Sequence, residues 1–239
     1  MKKTVLTYLL IILLSSILLT VSAIGFGAFE KKEVTSSAEI KFKYSTVIID
    51  AGHGGEDGGT SSKSGLVEKD INLSLAFILK EKLEAQGVNV ILTRDSDKLL
   101  YDRNTDFQGR KKKLDMAARL NIIQNTPGCI FISLHMNAFS DARYSGLQVW
   151  YSDNNPESQI LANKIQKNIQ ERLQAENNRK TKSAGSSIYL LEQSYCPAVL
   201  VECGFLSNVA EAKLFESDEY KDTLCSHLCD SVIEFLKNS

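Results

Sequence analysis

One stretch constrains the fold of this chain more than any other. It runs from Val47 to Gly59 and reads Val-Ile-Ile-Asp-Ala-Gly-His-Gly-Gly-Glu-Asp-Gly-Gly. The β-branched residues at its start are typical of a strand that is buried on both faces of a sheet. The glycines that follow permit a sharp turn, because glycine adopts backbone angles that other residues resist. His53 is therefore predicted to lie on an accessible loop at the tip of a rigid strand.

A glycine-rich turn after a strand can also bind a phosphate through its backbone N–H groups. The spacing here matches neither G-x-G-x-x-G nor G-x-x-x-x-G-K-[ST], and the acidic Glu56 and Asp57 would repel an anion. A metal ligand or catalytic imidazole suits this position better than a packing residue does. The role of His53 then depends on whether partners for it occur elsewhere in the chain.

The N-terminal segment indicates a membrane anchor. The chain begins with Met-Lys-Lys, and residues 4–29 contain no charged side chain. About 20 apolar residues suffice to cross a bilayer as a helix, so residues 1–29 are predicted to be a transmembrane anchor. The positive charge before the span places everything after Glu30 outside the cytoplasm. The small residues at 21–23, Val-Ser-Ala, resemble a cleavage site, so a removed signal segment is the alternative.

The remainder of the chain fits one domain. Residues 30–44 are polar and aperiodic, which predicts a linker, and residues 45–239 are enough for one domain with a sizeable core. The chain has 28 Lys and Arg against 29 Asp and Glu, so its charge gives no indication of nucleic-acid binding. The basic run Lys111–Lys113 is expected to be a solvated helix face.

The five cysteines do not form the pattern of a disulfide framework. Cys129 and Cys203 lie in apolar strand patterns, which predicts small core residues. Cys225 and Cys229 flank His227 on a predicted helix, a spacing that could hold a metal. One face of an amphipathic helix explains that spacing better, so His227 is expected to be structural.

Strand and helix patterns alternate after the first strand. This alternation predicts an α/β fold with a mostly parallel sheet and with ligands beyond the carboxyl ends of the strands. The further predicted strands are 88–93, 129–134, 146–151, 186–191 and 198–203, and the predicted helices are 69–86, 110–124, 156–177, 208–215 and 220–237.

Polar side chains stand where several of these apolar runs end. His53 follows the first strand, His135 ends a central strand and Glu202 ends the last strand. Glu68 stands at or just before a helix start. If the sheet is parallel at these strands, the four side chains converge on one edge. Two imidazoles and one carboxylate are the ligand set of a catalytic zinc, and a carboxylate outside that set can act as general base and acid.

Four motifs, taken together, resemble a known family. They are Ile-Ile-Asp-Ala-Gly-His-Gly-Gly at His53, Val-Glu-Lys-Asp-Ile-Asn-Leu at Glu68, Ser-Leu-His-Met-Asn-Ala at His135 and Pro-Ala-Val-Leu-Val-Glu-Cys-Gly-Phe-Leu-Ser-Asn at Glu202. Their content and order resemble the zinc-dependent N-acetylmuramoyl-L-alanine amidases of the Amidase_3 type. The resemblance extends from about Thr46 to Phe235, nearly the whole predicted domain.

The resemblance implies one Zn²⁺ per chain, with His53, Glu68 and His135 as its ligands and Glu202 as the catalytic carboxylate. It implies a single α/β domain with a mixed sheet of about six strands between helices. It also implies hydrolysis of the amide that joins N-acetylmuramic acid to L-alanine of the peptidoglycan stem peptide. Glu202 is then expected to take a proton from water and to return it to the leaving amine.

Further features bear on the role within the family. Thr93-Arg94, Arg119 and Asn121 match weaker family positions, where support of the site is expected rather than chemistry. Some relatives carry an inhibitory helix before the next strand, whereas here only residues 139–145 follow the His-x-Asn-Ala motif. The site is therefore expected to be open and to be controlled by expression, zinc supply or an activating partner protein.

The short chain, the anchor-like N-terminus and the lack of wall-binding repeats resemble the spore-cortex amidases, which act on the way to muramic-δ-lactam. The expected partners are peptidoglycan and, through the N-terminus, the membrane. The expected location is extracytoplasmic, at the cell wall or in the forespore intermembrane space. The alternatives are a vegetative wall amidase, a zinc peptidase acting on cross-bridges, and a binding protein without catalysis. A binding protein without catalysis would be expected to lack one of the metal ligands or the catalytic carboxylate.

Overall fold

The computed structural model describes residues 43–102, 104 and 109–239. The predicted anchor at 1–29 and nearly all of the predicted linker at 30–44 lie outside these residues. Within the described part of the chain, no helix combines the length and the apolar character needed to cross a membrane.

A six-stranded sheet forms the centre of the domain. The strands are β1 (Thr46–Ala51), β2 (Asn89–Leu92), β3 (Cys129–Asn137), β4 (Gln148–Tyr151), β5 (Lys182–Ser183) and β6 (Ala198–Phe205). Their spatial order is β2-β1-β3-β6-β4-β5. All neighbouring pairs are parallel except β4 and β6, which are antiparallel. The predicted fold class, a single α/β domain with a mixed and mostly parallel sheet, is confirmed.

Helices cover both faces of the sheet. They are α1 (Glu68–Ala85), α2 (Lys111–Gln124), α3 (Pro156–Arg172), α4 (Tyr189–Glu192), α5 (Val209–Leu214) and α6 (Asp218–Asn238). The larger core lies between the sheet and α1, α3 and α6, and the smaller one lies between the sheet and α2 and α4. Side chains of a strand alternate between faces, so Ile49 enters the larger core and Ile48 the smaller one.

The predicted strand at 186–191 is wrong. Residues 189–192 form the short helix α4, and the fifth strand lies earlier, at Lys182–Ser183. Leu190 and Leu191 are both buried in the smaller core. A short apolar run does not distinguish a strand from a helical turn, because both bury several residues in a row.

Two smaller predictions also differ from the structure. Helix α3 ends at Arg172 rather than near residue 177. The apolar spacing within 156–177 predicts Ile160, Leu161 and Ile165 on one buried face, but Ile160 is 51% exposed, while Leu161 and Ile165 are fully buried. All five cysteines are free thiols. Cys225 and Cys229 are buried on α6, as an amphipathic helix predicts.

Candidate metal centre

The sheet register brings predicted site residues into one row. His135 on β3 pairs with Glu202 on β6, and Glu202 pairs with Gln148 on β4. Residues that pair in register extend their side chains to the same face of the sheet. The three side chains therefore stand side by side at one end of the sheet, on the face that packs against α2 and α4.

Three of the four predicted site residues lie together, with two of their side chains within hydrogen-bonding distance of the third. His53 Nε2 lies 3.2 Å from Glu68 Oε1, and His135 Nδ1 lies 3.0 Å from the same oxygen. One ligand atom from each residue can be chosen so that all lie within 4.8 Å of one another. Ligands on a tetrahedral zinc, each about 2.0 Å from the metal, are about 3.3 Å apart. The spacing and donor types of His53, Glu68 and His135 therefore fit a zinc ion.

The electrostatics of Glu68 favour the state that binds a cation. Burial alone would raise the pKa of its carboxyl, but hydrogen bonds and charge from His135 and His53 outweigh burial and lower that pKa well below its usual range. The backbone N–H groups of Thr60 and Met136 also donate to this carboxylate, at 2.8 Å and 3.0 Å. Glu68 is therefore ionised at neutral pH, as a metal ligand must be.

The loop that carries His53 has an unusual backbone conformation. His53 has a φ of 63°, and no other non-glycine residue that the structure describes has a positive φ. Such a conformation costs about 1–3 kcal/mol and persists only where the surroundings hold it. Two buried arginines hold the loop in this conformation. Arg119 donates to the carbonyl of His53 at 2.7 Å, and Arg94 donates to the carbonyl of Gly52 at 3.1 Å.

A buried ionic cluster stands behind this loop. Arg119 is fully buried and donates to Asp50 Oδ1 at 2.5 Å and to Asp115 Oδ2 at 2.8 Å. The hydroxyls of Thr93 and Ser133 donate to Asp50 at 2.6 Å each. Burial alone would raise the pKa of Asp50, but the charge of Arg119 and these hydrogen bonds lower it to about 2.

The weaker family positions differ in their relation to the site. Thr93, Arg94 and Arg119 all belong to the network behind the histidine loop. Asn121 does not: it is exposed on α2, and its side chain accepts a hydrogen bond from Asn125.

The structure adds Asp57 to the site. Its Oδ1 lies 2.9 Å from His53 Nδ1, on the side of the ring opposite the Nε2 that faces Glu68. Burial alone would lower the pKa of His53, but Glu68 and Asp57 together raise it. A carboxylate at the second ring nitrogen is the usual way to fix the orientation of a metal-binding histidine. The only sequence signal for this contact is the position of Asp57 on the same glycine-rich loop.

Two glycines leave room for the ligands. A Cβ on Gly52 would stand 2.2 Å from His135 Nε2, and a Cβ on Gly59 would stand 2.4 Å from Glu68 Oε2. Real Cβ atoms do not approach other atoms so closely, so a side chain at either position would displace His135 or Glu68. The glycines of this loop are therefore needed for close approach of the backbone as well as for its turn.

Glu202 pairs with His135 in the sheet and lies outside the group of His53, Glu68 and His135 whose ligand atoms lie within 4.8 Å of one another. Its Oε2 is buried and has no hydrogen-bond partner among the described residues. Burial is the main cause that raises the pKa of this carboxyl, and the charge of Glu68 adds to it while His135 opposes it. A partly buried carboxylate with free acceptor capacity beside a metal centre can take up and release a proton.

A cleft extends from the centre along the smaller core. It has a volume of about 350 Å³ and is bordered by His53 and His135. Its other walls are mostly apolar and include Met116 from α2 and Leu191 from α4. The described segment between β3 and β4 contains no helix, so no such element covers the cleft from that side.

Known proteins similar to this chain include N-acetylmuramoyl-L-alanine amidases. Residues 47–234 match the Amidase_3 family model, described as N-acetylmuramoyl-L-alanine amidase. The chain belongs to this family. The resemblance inferred from the four motifs is thereby confirmed.

Individual Amidase_3 relatives are similar over most of this chain. The germination-specific N-acetylmuramoyl-L-alanine amidase of Bacillus subtilis is 34% identical over 189 residues, which cover 79% of this chain and 78% of that protein. The solved structure of the CwlD amidase from Clostridioides difficile, in complex with the GerS lipoprotein, is 37% identical with a TM-score of 0.76 and covers 82% of this chain and 100% of that one. The amidase AmiC2 of Nostoc punctiforme is 29% identical with a TM-score of 0.67, over 81% and 97% of the two chains.

The close approach of Gly52 to His135 yields a test. We expect Gly52→Ala to displace the His135 ring and to weaken Zn²⁺ binding by about tenfold or more, the range seen when support of a metal ligand is lost. The matched control is Gly58→Ala in the same loop, where the new Cβ would meet its nearest neighbour, Val67 Cγ1, at 3.4 Å. Zinc affinity is measured by competition with a chromophoric chelator, and circular dichroism verifies the fold. Equal affinity of the two variants would contradict this reading of the loop.

Proposed function

We propose that this protein is a zinc-dependent amidase that cleaves the bond between N-acetylmuramic acid and the L-alanine of peptidoglycan stem peptides. One observation carries the proposal: His53, Glu68 and His135 converge at hydrogen-bonding distances, and Glu202 stands beside them on the neighbouring strand with a buried, unpartnered oxygen. Membership of the Amidase_3 family supplies the bond and the substrate class.

The proposed ligands of the zinc ion are His53, Glu68 and His135. Bound zinc supplies Lewis acidity, which makes water a nucleophile near neutral pH and polarises the scissile carbonyl. The residues around the ligands keep them in place. Asp57 Oδ1 places a negative charge 2.9 Å from His53 Nδ1, and the backbone N–H groups of Thr60 and Met136 donate hydrogen bonds to the carboxylate of Glu68.

Glu202 is the proposed general base and acid. Its free Oε2 accepts the proton of the attacking water and later delivers it to the nitrogen of the leaving L-alanine. Burial raises the pKa of this carboxyl, which brings it nearer to the operating pH and makes return of the proton easier. Its position next to His135 in the sheet register keeps it within the site without making it a ligand.

The first experiment incubates the full chain with purified peptidoglycan and analyses the products by mass spectrometry. We expect free stem peptides and bare muramic acid from the zinc-loaded protein and none after chelation. Glu202→Gln should retain zinc and lose about 10²–10⁴-fold in rate, the usual contribution of a general base. Glu192→Gln is the matched control, because Glu192 is an exposed glutamate at the end of α4 and should be replaceable without effect.

Two outcomes would contradict the proposal in different ways. Cross-bridge fragments with intact lactyl amides would identify a zinc peptidase instead of an amidase. A near-normal rate of Glu202→Gln would show that another group is the base.

We further propose that an activating partner protein binds this amidase. The support is the 37% identical CwlD amidase, whose solved structure contains the GerS lipoprotein. Addition of a lipoprotein of that kind is expected to raise the zinc occupancy or the rate of the purified chain several-fold. Zinc content and product release are measured with and without it. No change in either at saturating lipoprotein would refute the partnership.

The proposed place of action is outside the cytoplasm, in the spore cortex, with residues 1–29 as a membrane anchor. The support is the 34% identity to a germination-specific amidase and the charge-free run at 4–29. In a Bacillus subtilis strain that lacks its germination-specific amidase, the full chain should restore muramic-δ-lactam in spore peptidoglycan and should fractionate with membranes. Glu202→Gln is the inactive control. If the protein is active but the spores contain no lactam, a vegetative role is favoured. If the protein is recovered in a shortened, soluble form, a cleaved signal segment is favoured over a membrane anchor.

A further inference from the structure

Arg179 is a partly buried arginine without an acidic partner. It lies between α3 and β5, and no Asp or Glu among the described residues forms an ion pair with it. Its Nε is buried and has no hydrogen-bond partner in the described part of the chain. A guanidinium carries five N–H donors, and it is costly to remove from water without a partner. Arg179 therefore has unused capacity to bind an anion.

The position of Arg179 is fixed by its neighbours. Its Nη2 donates to Gln148 Oε1 at 3.0 Å, and Gln148 in turn donates through Nε2 to the carbonyl of Lys180 at 2.8 Å. The guanidinium also stacks over the ring of Phe205, 4.7 Å from its centre, and lies 6.0 Å from the ring centre of Tyr144. A guanidinium held in this way loses little further freedom when it binds a ligand.

This position is next to the proposed catalytic carboxylate. Gln148, which holds Arg179, pairs with Glu202 in the sheet, and Glu202 pairs with His135. Neighbouring strands are about 4.8 Å apart, so Gln148 stands about 10 Å from His135 along this row. Arg179 thus extends the row of site residues on the side away from the zinc ligands.

Glu211 lines the same part of the surface but is otherwise engaged. A cavity of about 540 Å³ is bordered by Arg179, Tyr144 and Glu211. The carboxylate of Glu211 accepts from the backbone N–H groups of Gly146 and Phe205, at 2.9 Å and 2.8 Å. Because both of its oxygens are used there, Glu211 does not take the place of a ligand on Arg179.

We propose that Arg179 binds the free carboxylate of the second stem-peptide residue while the scissile amide lies at the metal centre. This inference rests on the proposed amidase function and names the part of the substrate that the site selects. The residue after L-alanine in the stem is a glutamate linked through its side chain, so its α-carboxyl group is free or amidated. Two extended residues span about 7 Å, and a hydrogen bond of about 3 Å from the carboxylate to the guanidinium brings the reach to about 10 Å, comparable to the spacing of His135 and Gln148 along this row. A planar guanidinium can bind a carboxylate through two N–H groups and cannot bind an amide in that way.

The test compares two synthetic substrates that differ in one group: N-acetylmuramoyl-L-alanyl-D-glutamate and its α-amide, N-acetylmuramoyl-L-alanyl-D-isoglutamine. The zinc-loaded full chain should prefer the free acid by about tenfold or more in kcat/KM, chiefly through KM. Arg179→Gln should reduce this preference to about one. The matched control is Arg143→Gln, because Arg143 borders the same cavity but is exposed and already paired with Asp141. This control should retain the preference.

A purely structural role of Arg179 predicts a different result. Loss of its contacts with Phe205 and Tyr144 would then lower the rates on both substrates equally and leave their ratio unchanged. A ratio near one in the unaltered protein, or a preference that survives Arg179→Gln, would overturn the proposal. Arg179→Lys keeps the charge but not the planar fork and should restore only part of the preference.

A binding measurement separates this inference from the proposed reaction. In the Glu202→Gln background, titration of the two compounds is followed by calorimetry or NMR, so that no turnover is needed. Tighter binding of the free acid, lost on Arg179→Gln, would support the carboxylate site even if the protein cleaved another bond. Equal binding of acid and amide, or no binding of either compound, would overturn it.

Discussion

The site depends on the buried ion pair between Arg119 and Asp50. Arg119 has no exposure to solvent, and its charge is balanced by Asp50 and Asp115. Further N–H contacts go to the carbonyls of Ala51, the last residue of β1, and of His53 on the loop that follows. Loss of one member of such a buried pair costs about 3–5 kcal/mol, because the other charge is left uncompensated. The pair therefore holds a strained loop that its own local sequence would not hold.

The proposed ligands come from distant parts of the chain, and the sheet brings them together. His53 follows β1, His135 lies near the end of β3 and Glu68 begins α1. Parallel strands end at the same edge of a sheet, so β1 and β3 deliver their histidines to one place. The glycines at 52 and 59 then permit the contact, because a Cβ at either position would occupy the space of His135 or Glu68.

The antiparallel strand β4 places Gln148, and through it Arg179, beside the proposed catalytic carboxylate. It is adjacent to β6 and places Gln148 beside Glu202, and Gln148 in turn holds Arg179. One row of side chains across the sheet therefore leads from the proposed zinc ligands through the proposed base to the proposed carboxylate site. In this proposal, chemistry and selection of substrate share the same rigid strands.

The sequence by itself determined the class of fold and indicated four candidate site residues. The alternation of apolar runs and helical periods is local information, and the motifs around His53, Glu68, His135 and Glu202 are contiguous. Family membership and the α/β sheet followed from them. The roles of these four residues stay predictions that rest on the resemblance and on the geometry described above.

The tertiary structure decided the features that depend on contacts between distant segments. Leu190 and Leu191 form a helical turn because both pack into the smaller core, which a four-residue apolar run does not reveal. Arg179 lies in an aperiodic segment, and its importance appears only because β4 is antiparallel to β6 and aligns Gln148 with Glu202. Strand direction and register are set by long-range packing, so no local pattern in the sequence encodes which arginine Gln148 holds.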